Sequence, residues 1–216
     1  MYKWIYAALL MMSVIGTAVA EETEAIKLPP PETEGGKPFM QVLKERHSTR
    51  EFGSRALAPQ VLSNLLWAAS GVNRSDSGKR TAPSARDQRE IDVYVTTADG
   101  AYRYDPDAHA LKRVVAKDIR KLTGVQDFVA TAPVNLVYVA DFSRMKDAAT
   151  DQQTLYSAAD TGFIAQNVYL FCASAGLATV VRASVDREAL GAALGLSNLQ
   201  KIILAQSVGY PASSAR

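Results

Sequence analysis

The sequence lacks most of the residues from which common catalytic centres are built. Its 216 residues include two histidines, His47 and His109, and one cysteine, Cys172. A single cysteine excludes an intrachain disulfide, and no His/Cys spacing typical of a metal site occurs. No serine stands in a nucleophile-elbow motif, which disfavours a Ser-His-Asp hydrolase. The glycine-rich fingerprints of dinucleotide and P-loop phosphate binding are also absent.

Neither charge nor apolar runs indicate a nucleic-acid-binding or membrane-embedded protein. The formal net charge is +2, too small for a nucleic-acid footprint. The apolar run over residues 4–19 is shorter than the roughly 20 residues that span a bilayer, and it ends in Ala18-Val19-Ala20. This pattern predicts a signal peptide over residues 1–20, with a retained N-terminal anchor as the alternative. We expect a periplasmic or secreted protein with no stable membrane insertion after cleavage.

Composition divides the rest of the chain into a tether and one domain. Residues 21–37, EETEAIKLPPPETEGGK, are rich in Glu, Pro and Gly, which predicts a flexible linker. Residues 38–216 mix helix and strand patterns without a strict β-α-β alternation. A doubly wound dinucleotide fold is therefore disfavoured, and the pattern indicates an α+β domain.

The periodicity of apolar residues predicts the individual elements of this domain. The predicted helices cover residues 37–46, 58–71, 117–124, 125–132, 151–176 and 186–196. A hairpin is predicted over residues 90–105, with its turn at Asp99-Gly100. The predicted buried strands cover residues 132–142, 178–185 and 200–211.

The octapeptide ERHSTREF, residues 45–52, places two arginines around a pair of hydroxyls. Guanidinium groups bind phosphate oxygens bidentately, and Ser48 or Thr49 can add a hydrogen bond. One interpretation is therefore a monophosphate site that includes Arg46 and Arg50. The other is a helix C-terminus whose cations complement the helix dipole, and composition alone favours this second interpretation.

A second basic stretch, KRTAPSARDQRE, covers residues 79–90. Its Pro-Ser pair is typical of a turn that precedes a strand. Ser84 could contact an anion together with Arg80, Arg86 and Arg89. The alternative is an exposed basic loop with no ligand.

Three single residues receive structural interpretations. Gly162 inside a long helix indicates the close approach of a flat ligand or, more commonly, of another helix. His109, in the predicted turn YDPDAHALK, is expected to be solvated. Cys172, in an apolar stretch, is expected to be a buried core residue rather than a reactive thiol.

Taken together in order and spacing, these motifs resemble those of the FMN-dependent nitroreductase family. The resemblance covers about residues 38–211, and GAYRYDPDAHAL is closest to the azoline-dehydrogenase-like branch. The similar segments are the phosphate signature ERHSTREF, the second helix LSNLLWAASGVNR, the Pro-Ser loop and strand TAPSARDQREIDVYV, the central helix and following strand DTGFIAQNVYLFCASAGLATV, and the closing strand LAQSVGYP.

The resemblance implies an α+β fold with a mostly antiparallel central sheet flanked by helices. It also implies an intertwined homodimer with two FMN at its interface. The flavin would carry the hydride chemistry, so no catalytic side chain is required. By position, the residues implied in FMN binding are Arg46, His47, Ser48 and Arg50, then Pro83, Ser84, Ala85 and Asp87 from the other subunit, and the main chain near Val181, Arg182 and Ala183.

Two residues depart from the family pattern. Asp87 stands where the family usually has Asn, and a carboxylate accepts hydrogen bonds but cannot donate them. After the closing Gly-Tyr-Pro, where many members carry basic residues, this chain offers Arg216. We expect an exported FMN-dependent oxidoreductase that transfers two electrons between flavin and a small organic substrate, either nitro- or quinone-like or a peptide-derived ring. The alternative is a catalytically degenerate flavin- or partner-binding protein on the same fold.

Overall fold

The computed structural model of the protein describes residues 25–212. The predicted signal peptide and Arg216 lie outside this range. Within it, the chain forms one seven-stranded sheet, a separate two-stranded hairpin and four α-helices.

Every pair of neighbouring strands in the main sheet is antiparallel. The strands are β1 (Ala25–Lys27), β2 (Val72–Arg74), β3 (Lys79–Arg80), β4 (Ile91–Thr97), β5 (Gly100–Asp105), β6 (Ala110–Val115), β7 (Val134–Asp141), β8 (Ala178–Arg182) and β9 (Gln200–Gly209). The helices are α1 (Phe39–Glu45), α2 (Pro59–Ser70), α3 (Thr150–Ala175) and α4 (Arg187–Leu194). The sheet order is β1-β6-β5-β4-β7-β9-β8, and β2 pairs with β3. The predicted α+β class with a mostly antiparallel central sheet is confirmed.

Strand β7 lies inside the sheet, between β4 and β9, and separates two hydrophobic cores. Leu136 and Tyr138 face the core that contains α2 and α3, whereas Val137 and Val139 face the core that contains α4. Successive side chains of a strand point to opposite faces. A strand covered on both faces is therefore apolar throughout, which is why the buried strand was predictable.

Helix α3 is the longest element of the fold. It forms as a single helix, as the sequence predicted for residues 151–176. Ile164, Val168 and Cys172 are buried in the core that it shares with the sheet. The helix ends at Gly176, which adopts φ +67°, and its N–H donates to Cys172 O. Glycine takes this left-handed conformation without a Cβ clash. Burial raises the pKa of the Cys172 thiol, so this residue is part of the core, as predicted.

Several of the shorter elements also form where the sequence predicted them. Helices α1, α2 and α4 form where they were predicted. The carboxylate of Asp186 accepts a hydrogen bond from Ala189 N at 3.0 Å and so caps α4. Strands β4 and β5 form the predicted hairpin, in which Thr97 pairs with Gly100.

Two predicted helices are replaced by short 3-10 helices. The segments 117–124 and 125–132 contain only Arg120–Thr123 and Asp127–Ala130 in 3-10 geometry. Gly124, which separates them, has an extended backbone with φ 177°. Each segment is too short to offset the cost of nucleating an α-helix, so the chain uses single turns as connectors.

The prediction of a flexible linker over residues 21–37 is wrong for the part that the structure describes. Strand β1 pairs with β6 at the edge of the sheet. Leu28 is buried in the core, and Pro29 O accepts a hydrogen bond from Ser63 Oγ of α2 at 2.6 Å. Strand pairing and burial outweigh the preference of a Pro- and Glu-rich composition for disorder.

His109 also differs from its prediction, because it is half-buried rather than solvated. Its Nδ1 lies 2.9 Å from the Tyr104 hydroxyl, and its Nε2 lies 2.7 Å from Ser63 Oγ and 3.1 Å from Pro29 O. Burial lowers the pKa of His109. The imidazole therefore links the turn before β6 to α2 and to the N-terminal segment.

Gly162 lies on a face of α3 that the single chain leaves open. Apart from its chain neighbours and the nearby backbone of α3 itself, no atom of residues 25–212 lies within 4 Å of the position that a Cβ would occupy. The neighbouring Leu155 and Phe163 are also exposed, at 64% and 48%. Residues 25–212 therefore contain no helix that packs against Gly162.

Two further findings concern membranes and metals. Among the helices within residues 25–212, none is long and apolar enough to cross a membrane. The same part of the chain contains no group of three or more His, Cys, Asp or Glu side chains that could hold a metal ion.

The packing of the N-terminal segment can be tested with Leu28→Ala. This change should lower the free energy of unfolding by about 2–4 kcal/mol, because it removes a buried side chain. Urea denaturation of the full-length protein measures the effect. The matched control is Ile26→Ala in β1, which is 44% exposed and should change stability by less than about 0.5 kcal/mol. Equal, negligible effects of both variants would restore the flexible-linker interpretation.

Candidate cofactor site

The segment that follows α1 is held in an extended conformation against α3 and β8. Thr49 N donates to Thr179 O of β8 at 2.9 Å. Ser48 Oγ lies 2.9 Å from the hydroxyl of Tyr169, which belongs to α3. The predicted phosphate segment therefore lies beside the C-terminal half of α3.

The basic side chains of this segment have few partners within the chain. The Arg46 guanidinium lies 5.2 Å from the centroid of the Tyr169 ring. No carboxylate of residues 25–212 lies within 4.0 Å of Arg46 or Arg50. His47 is exposed, with its Nδ1 2.6 Å from Glu45 O. Two arginines without carboxylate partners next to the Ser48 hydroxyl match the charge and the acceptors of a phosphate group.

The loop Pro83–Asp87 is attached to α3 at a different place. The buried carboxylate of Asp160 accepts a hydrogen bond from Ala85 N at 2.8 Å. Ser84 Oγ accepts a second one from Arg89 N at 2.9 Å. These two bonds fix the main chain of the predicted Pro-Ser loop before β4 begins.

The backbone of this loop is strained. Arg86, Asp87 and Arg89 all have positive φ, at 54°, 56° and 50°. A non-glycine residue in this conformation costs roughly 1–2 kcal/mol, and such strain persists where the surrounding structure imposes it. The loop shape is therefore maintained by its anchors on α3 rather than by local preference.

The carboxylate of Asp87 is bound within its own loop. Its two oxygens accept hydrogen bonds from Arg89 Nε and Nη2, each at 2.8 Å. These bonds hold the pKa of Asp87 below its usual value, so the group is ionised at neutral pH. Arg89 therefore takes the acceptors that Asp87 would otherwise offer to a ligand.

At the end of β8, the Arg182 side chain points into the protein. It is 5% exposed and donates to Thr123 O at 2.6 Å, Asn135 Oδ1 at 3.1 Å and Ser207 Oγ at 3.2 Å. Burial lowers the pKa of Arg182 to about 10. This guanidinium is not available to a cofactor, so the predicted contact at Arg182 can involve only the main chain.

Tyr169 is a site residue that sequence reasoning missed. Its hydroxyl accepts a hydrogen bond from Val181 N at 2.9 Å, in addition to its contact with Ser48. The Val181 amide is therefore bonded within the chain, and Ala183 is exposed. A contact between the flavin and the main chain near these residues stays a prediction. An aromatic residue in an apolar helix gave no sequence signal beyond core packing.

A second missed feature is a pair of buried acids behind the Pro-Ser loop. Glu90 is fully buried, and neither of its carboxyl oxygens has a donor partner within residues 25–212. Burial raises the pKa of Glu90 to about 7, and the nearby negative charge of Asp160 acts in the same direction. The Asp160 carboxylate of the pair is bonded to the Ala85 amide, so Glu90 lies directly behind the residue that holds the Pro-Ser loop.

Within one chain, the two halves of the predicted site do not meet. Tyr169 contacts the phosphate segment and Asp160 contacts the Pro-Ser loop. These residues are nine positions apart on α3, which corresponds to about 14 Å along the helix. The structure brings residues 46–50 to the start of β8, and it leaves residues 83–87 at another place on α3.

Comparison with known proteins identifies the family. The profile of the Nitroreductase family matches residues 43–210. The chain belongs to the nitroreductase family. A candidate nitroreductase of Methanocaldococcus jannaschii, MJ1384, is 35% identical over 158 residues, which are 68% of this chain and 79% of that protein.

Solved structures of nitroreductase-family proteins have the same fold. The crystal structure of a candidate nitroreductase from Ralstonia eutropha is 45% identical, with a TM-score of 0.85 over 96% of this chain and 97% of that one. The NADPH:FMN oxidoreductase of Vibrio harveyi, complexed with NAD⁺, is 19% identical, with a TM-score of 0.61 over 80% of this chain and 68% of that one. At 19% identity the second likeness shows the fold alone.

The buried acid pair predicts a pH-dependent stability in this nitroreductase-family chain. The pKa of Glu90 rises from 4.5 to about 7 on folding, so the folded state binds more protons between these values. Stability should fall by about 3 kcal/mol as pH rises from 4.5 to 7. Glu90→Gln should remove this contribution, because an amide can donate to Asp160 without ionising. Urea denaturation at several pH values measures the slope.

The control for this prediction is Glu188→Gln on α4, where the side chain is exposed. It should keep the wild-type pH dependence. A Glu90→Gln variant with an unchanged slope between pH 4.5 and 7 would show that Glu90 ionises normally in the folded protein.

Proposed function

We propose that this protein is an exported FMN-dependent oxidoreductase that transfers two electrons between bound flavin and a small organic substrate. The observation that best supports this proposal is that Arg46 and Arg50 lie close in sequence to the Ser48 hydroxyl. Neither arginine has a carboxylate partner within residues 25–212. This segment lies within residues 43–210, which the Nitroreductase family profile matches, and its sequence resembles the phosphate signature of that family.

The residues of this segment fit the phosphate end of FMN. The two guanidinium groups would bind phosphate oxygens, and Ser48 would add a hydroxyl. Tyr169 holds Ser48 in place through its own hydroxyl. When bound, FMN supplies hydride transfer at its N5 atom, so the chain needs no nucleophile of its own.

The Pro83–Ala85 loop would provide a preformed wall for the flavin ring. Its main chain is fixed by Asp160 and by the Ser84 hydroxyl, which reduces the ordering cost of ligand binding. Because the Asp87 carboxylate is already bonded to Arg89, contacts to the ring from this loop would come mainly from Ser84 and from main-chain groups.

A homodimer is part of this proposal because the loop and the phosphate segment are separated within one chain. The open face of α3 carries exposed Leu155, Gly162 and Phe163, and α1 carries Phe39 and Met40, exposed at 64% and 74%. Adjacent apolar residues of this size favour burial against another protein surface. Pairing through these helices would bring the loop of one subunit towards the phosphate segment of the other.

The substrate class follows from the family and from the open site. Nitro-compounds, quinones or a peptide-derived ring could stack on the flavin, and the azoline-dehydrogenase-like branch remains a prediction. The name of the Vibrio harveyi protein, an NADPH:FMN oxidoreductase, supports flavin as the cofactor. Export from the cytoplasm would require an electron donor other than a cytoplasmic reduced nicotinamide.

The decisive experiment is a visible spectrum of protein purified from the periplasmic fraction, incubated with FMN and desalted. We expect about one FMN per chain and an intact mass that begins at Glu21. Arg50→Ala should weaken FMN binding by roughly tenfold to a hundredfold, the range for losing a charged hydrogen bond. Arg103→Ala, which removes a half-exposed arginine on β5, is the matched control.

Two outcomes would overturn the proposal in different ways. Absence of retained FMN would leave a degenerate binding protein on the nitroreductase fold. Retained FMN that is reduced by dithionite but never reoxidised by an added quinone would leave a flavin-binding protein without turnover.

The dimer makes a separate prediction. Phe163→Asp places a charge on the open face of α3 and should convert a dimer into a monomer, because desolvating an unpaired carboxylate is costly. The same variant should lose FMN, since each site would need two chains. Light scattering and the FMN spectrum measure both effects. Val125→Asp, at a position that is 71% exposed elsewhere, is the control, and a monomeric wild-type protein that binds FMN would contradict the model of shared sites.

A further inference from the structure

Two neighbouring cavities lie beside the Pro-Ser loop and share the side chains of Arg80 and Arg89 as walls. The first, of about 230 Å³, lies between α2, the β2–β3 hairpin, the loop and α3. The second, of about 330 Å³, is bounded mainly by β5, the following turn and Arg144. We call the first of these the Arg80 cavity.

Arg80 is a buried cation with almost no partners. Its side chain is 14% exposed, and the nearest carboxylate oxygen, Asp107 Oδ2, is 4.0 Å away. The Nε atom is buried without a hydrogen-bond partner, and the guanidinium donates no hydrogen bond to any of residues 25–212. Burial lowers the pKa of Arg80. An arginine nevertheless stays protonated in proteins, so the cavity contains a positive charge whose nearest counter-charge, the exposed Asp107 carboxylate, is 4.0 Å away.

Arg182 shows what a structural buried arginine looks like in the same protein. Arg182 is more deeply buried than Arg80, and its Nε also lacks a partner within residues 25–212, but its two Nη atoms donate to three oxygens. Native proteins pair nearly all buried polar groups. The contrast indicates that the donors of Arg80 are kept for an acceptor that does not belong to this chain.

The other charged groups around the Arg80 cavity favour an anion. The cavity is lined by four basic side chains, those of Arg74, Lys79, Arg80 and Arg89, and by the two carboxylates of Asp87 and Asp160. The Asp87 carboxylate is bonded to Arg89, and that of Asp160 accepts from the Ala85 amide. Positive charge therefore remains in excess where Arg80 lies.

Hydroxyl groups and the nearby loop define the kind of ligand. Ser70 and Ser84 line the cavity together with the apolar side chains of Ala82, Pro83 and Ile164. A guanidinium with adjacent hydroxyls binds the planar carboxylate or the phosphate group of a small molecule. The apolar wall would accept the ring or chain that carries this group.

We propose that the Arg80 cavity is a binding site for the carboxylate or phosphate group of a small-molecule ligand, with Arg80 as the residue that binds the anion. The inference deepens the proposed function. Since the Pro83–Ser84 wall is also the proposed wall of the flavin site, the ligand would be an anionic substrate or electron donor held beside the flavin.

Titration calorimetry of the FMN-incubated full-length protein with benzoate and with phenyl phosphate tests the site. Benzamide, which has the same ring and no charge, is the neutral probe. We expect wild-type protein to bind at least one anion and to ignore benzamide. Arg80→Gln should weaken anion binding at least tenfold, and Arg80→Lys should weaken it less. Arg113→Gln, at an exposed arginine of β6 that lines neither cavity, should leave it unchanged. The stronger of the two anions identifies a carboxylate or a phosphate site.

The stability and the ligand binding of the Arg80 variants decide between the possible roles of this residue. Arg80→Gln should unfold at a higher temperature than wild type, because it removes a buried charge without a partner. If Arg80→Gln does not fold, Arg80→Lys decides the test. Anion binding that is absent in wild type, or equal in wild type and Arg80→Gln, would overturn the proposal. Loss of FMN with intact anion binding in Arg80→Gln would assign Arg80 to the flavin instead.

The test separates this inference from the function on which it rests. The anion titrations can be carried out whether or not the protein retains FMN. Anion binding without FMN would remove the oxidoreductase proposal and keep the site. FMN binding without anion binding would keep the oxidoreductase proposal and remove the anion site.

Discussion

The burial of one face of helix α3 against the central sheet is the constraint on which the rest of this structure depends. Ile164, Val168 and Cys172 pack in the same core as β4, β7 and β9. This packing fixes where the other side chains of the helix project. Tyr169 then reaches the segment after α1, and Asp160 reaches the loop before β4. A single helix therefore positions both halves of the candidate cofactor site.

Helix α3 also contains polar side chains, and these act on the groups around them. Asp160 lies beside Glu90 in a buried environment, and burial raises the pKa of Glu90 to about 7 next to the loop that Asp160 holds. On the outer side of the same loop, Arg80 lacks the partners that Arg182 has found. Polar groups kept in unfavourable surroundings indicate function better than well-paired ones do.

Sequence periodicity predicted much of the fold because it depends on local spacing. The apolar run of β7, the capped start of α4 at Asp186 and the glycine end of α3 at Gly176 all formed as expected. Residues 25–36 were misjudged because pairing with β6 is a contact between distant parts of the chain. The 3-10 helices at Arg120–Thr123 and Asp127–Ala130 were misjudged because short segments take their conformation from what they connect.

By itself, the sequence determined the family-ordered motifs, the α+β class and the residue types of a phosphate site, since these follow from residue identity and spacing along the chain. Only the tertiary structure decided which of these groups are free to bind. It turned Arg182 inward, engaged the Val181 amide with Tyr169 and left Arg80 without an acceptor. The physical reason is that hydrogen-bond partners and burial are set by residues far apart in sequence, and no local pattern records which donor finds an acceptor.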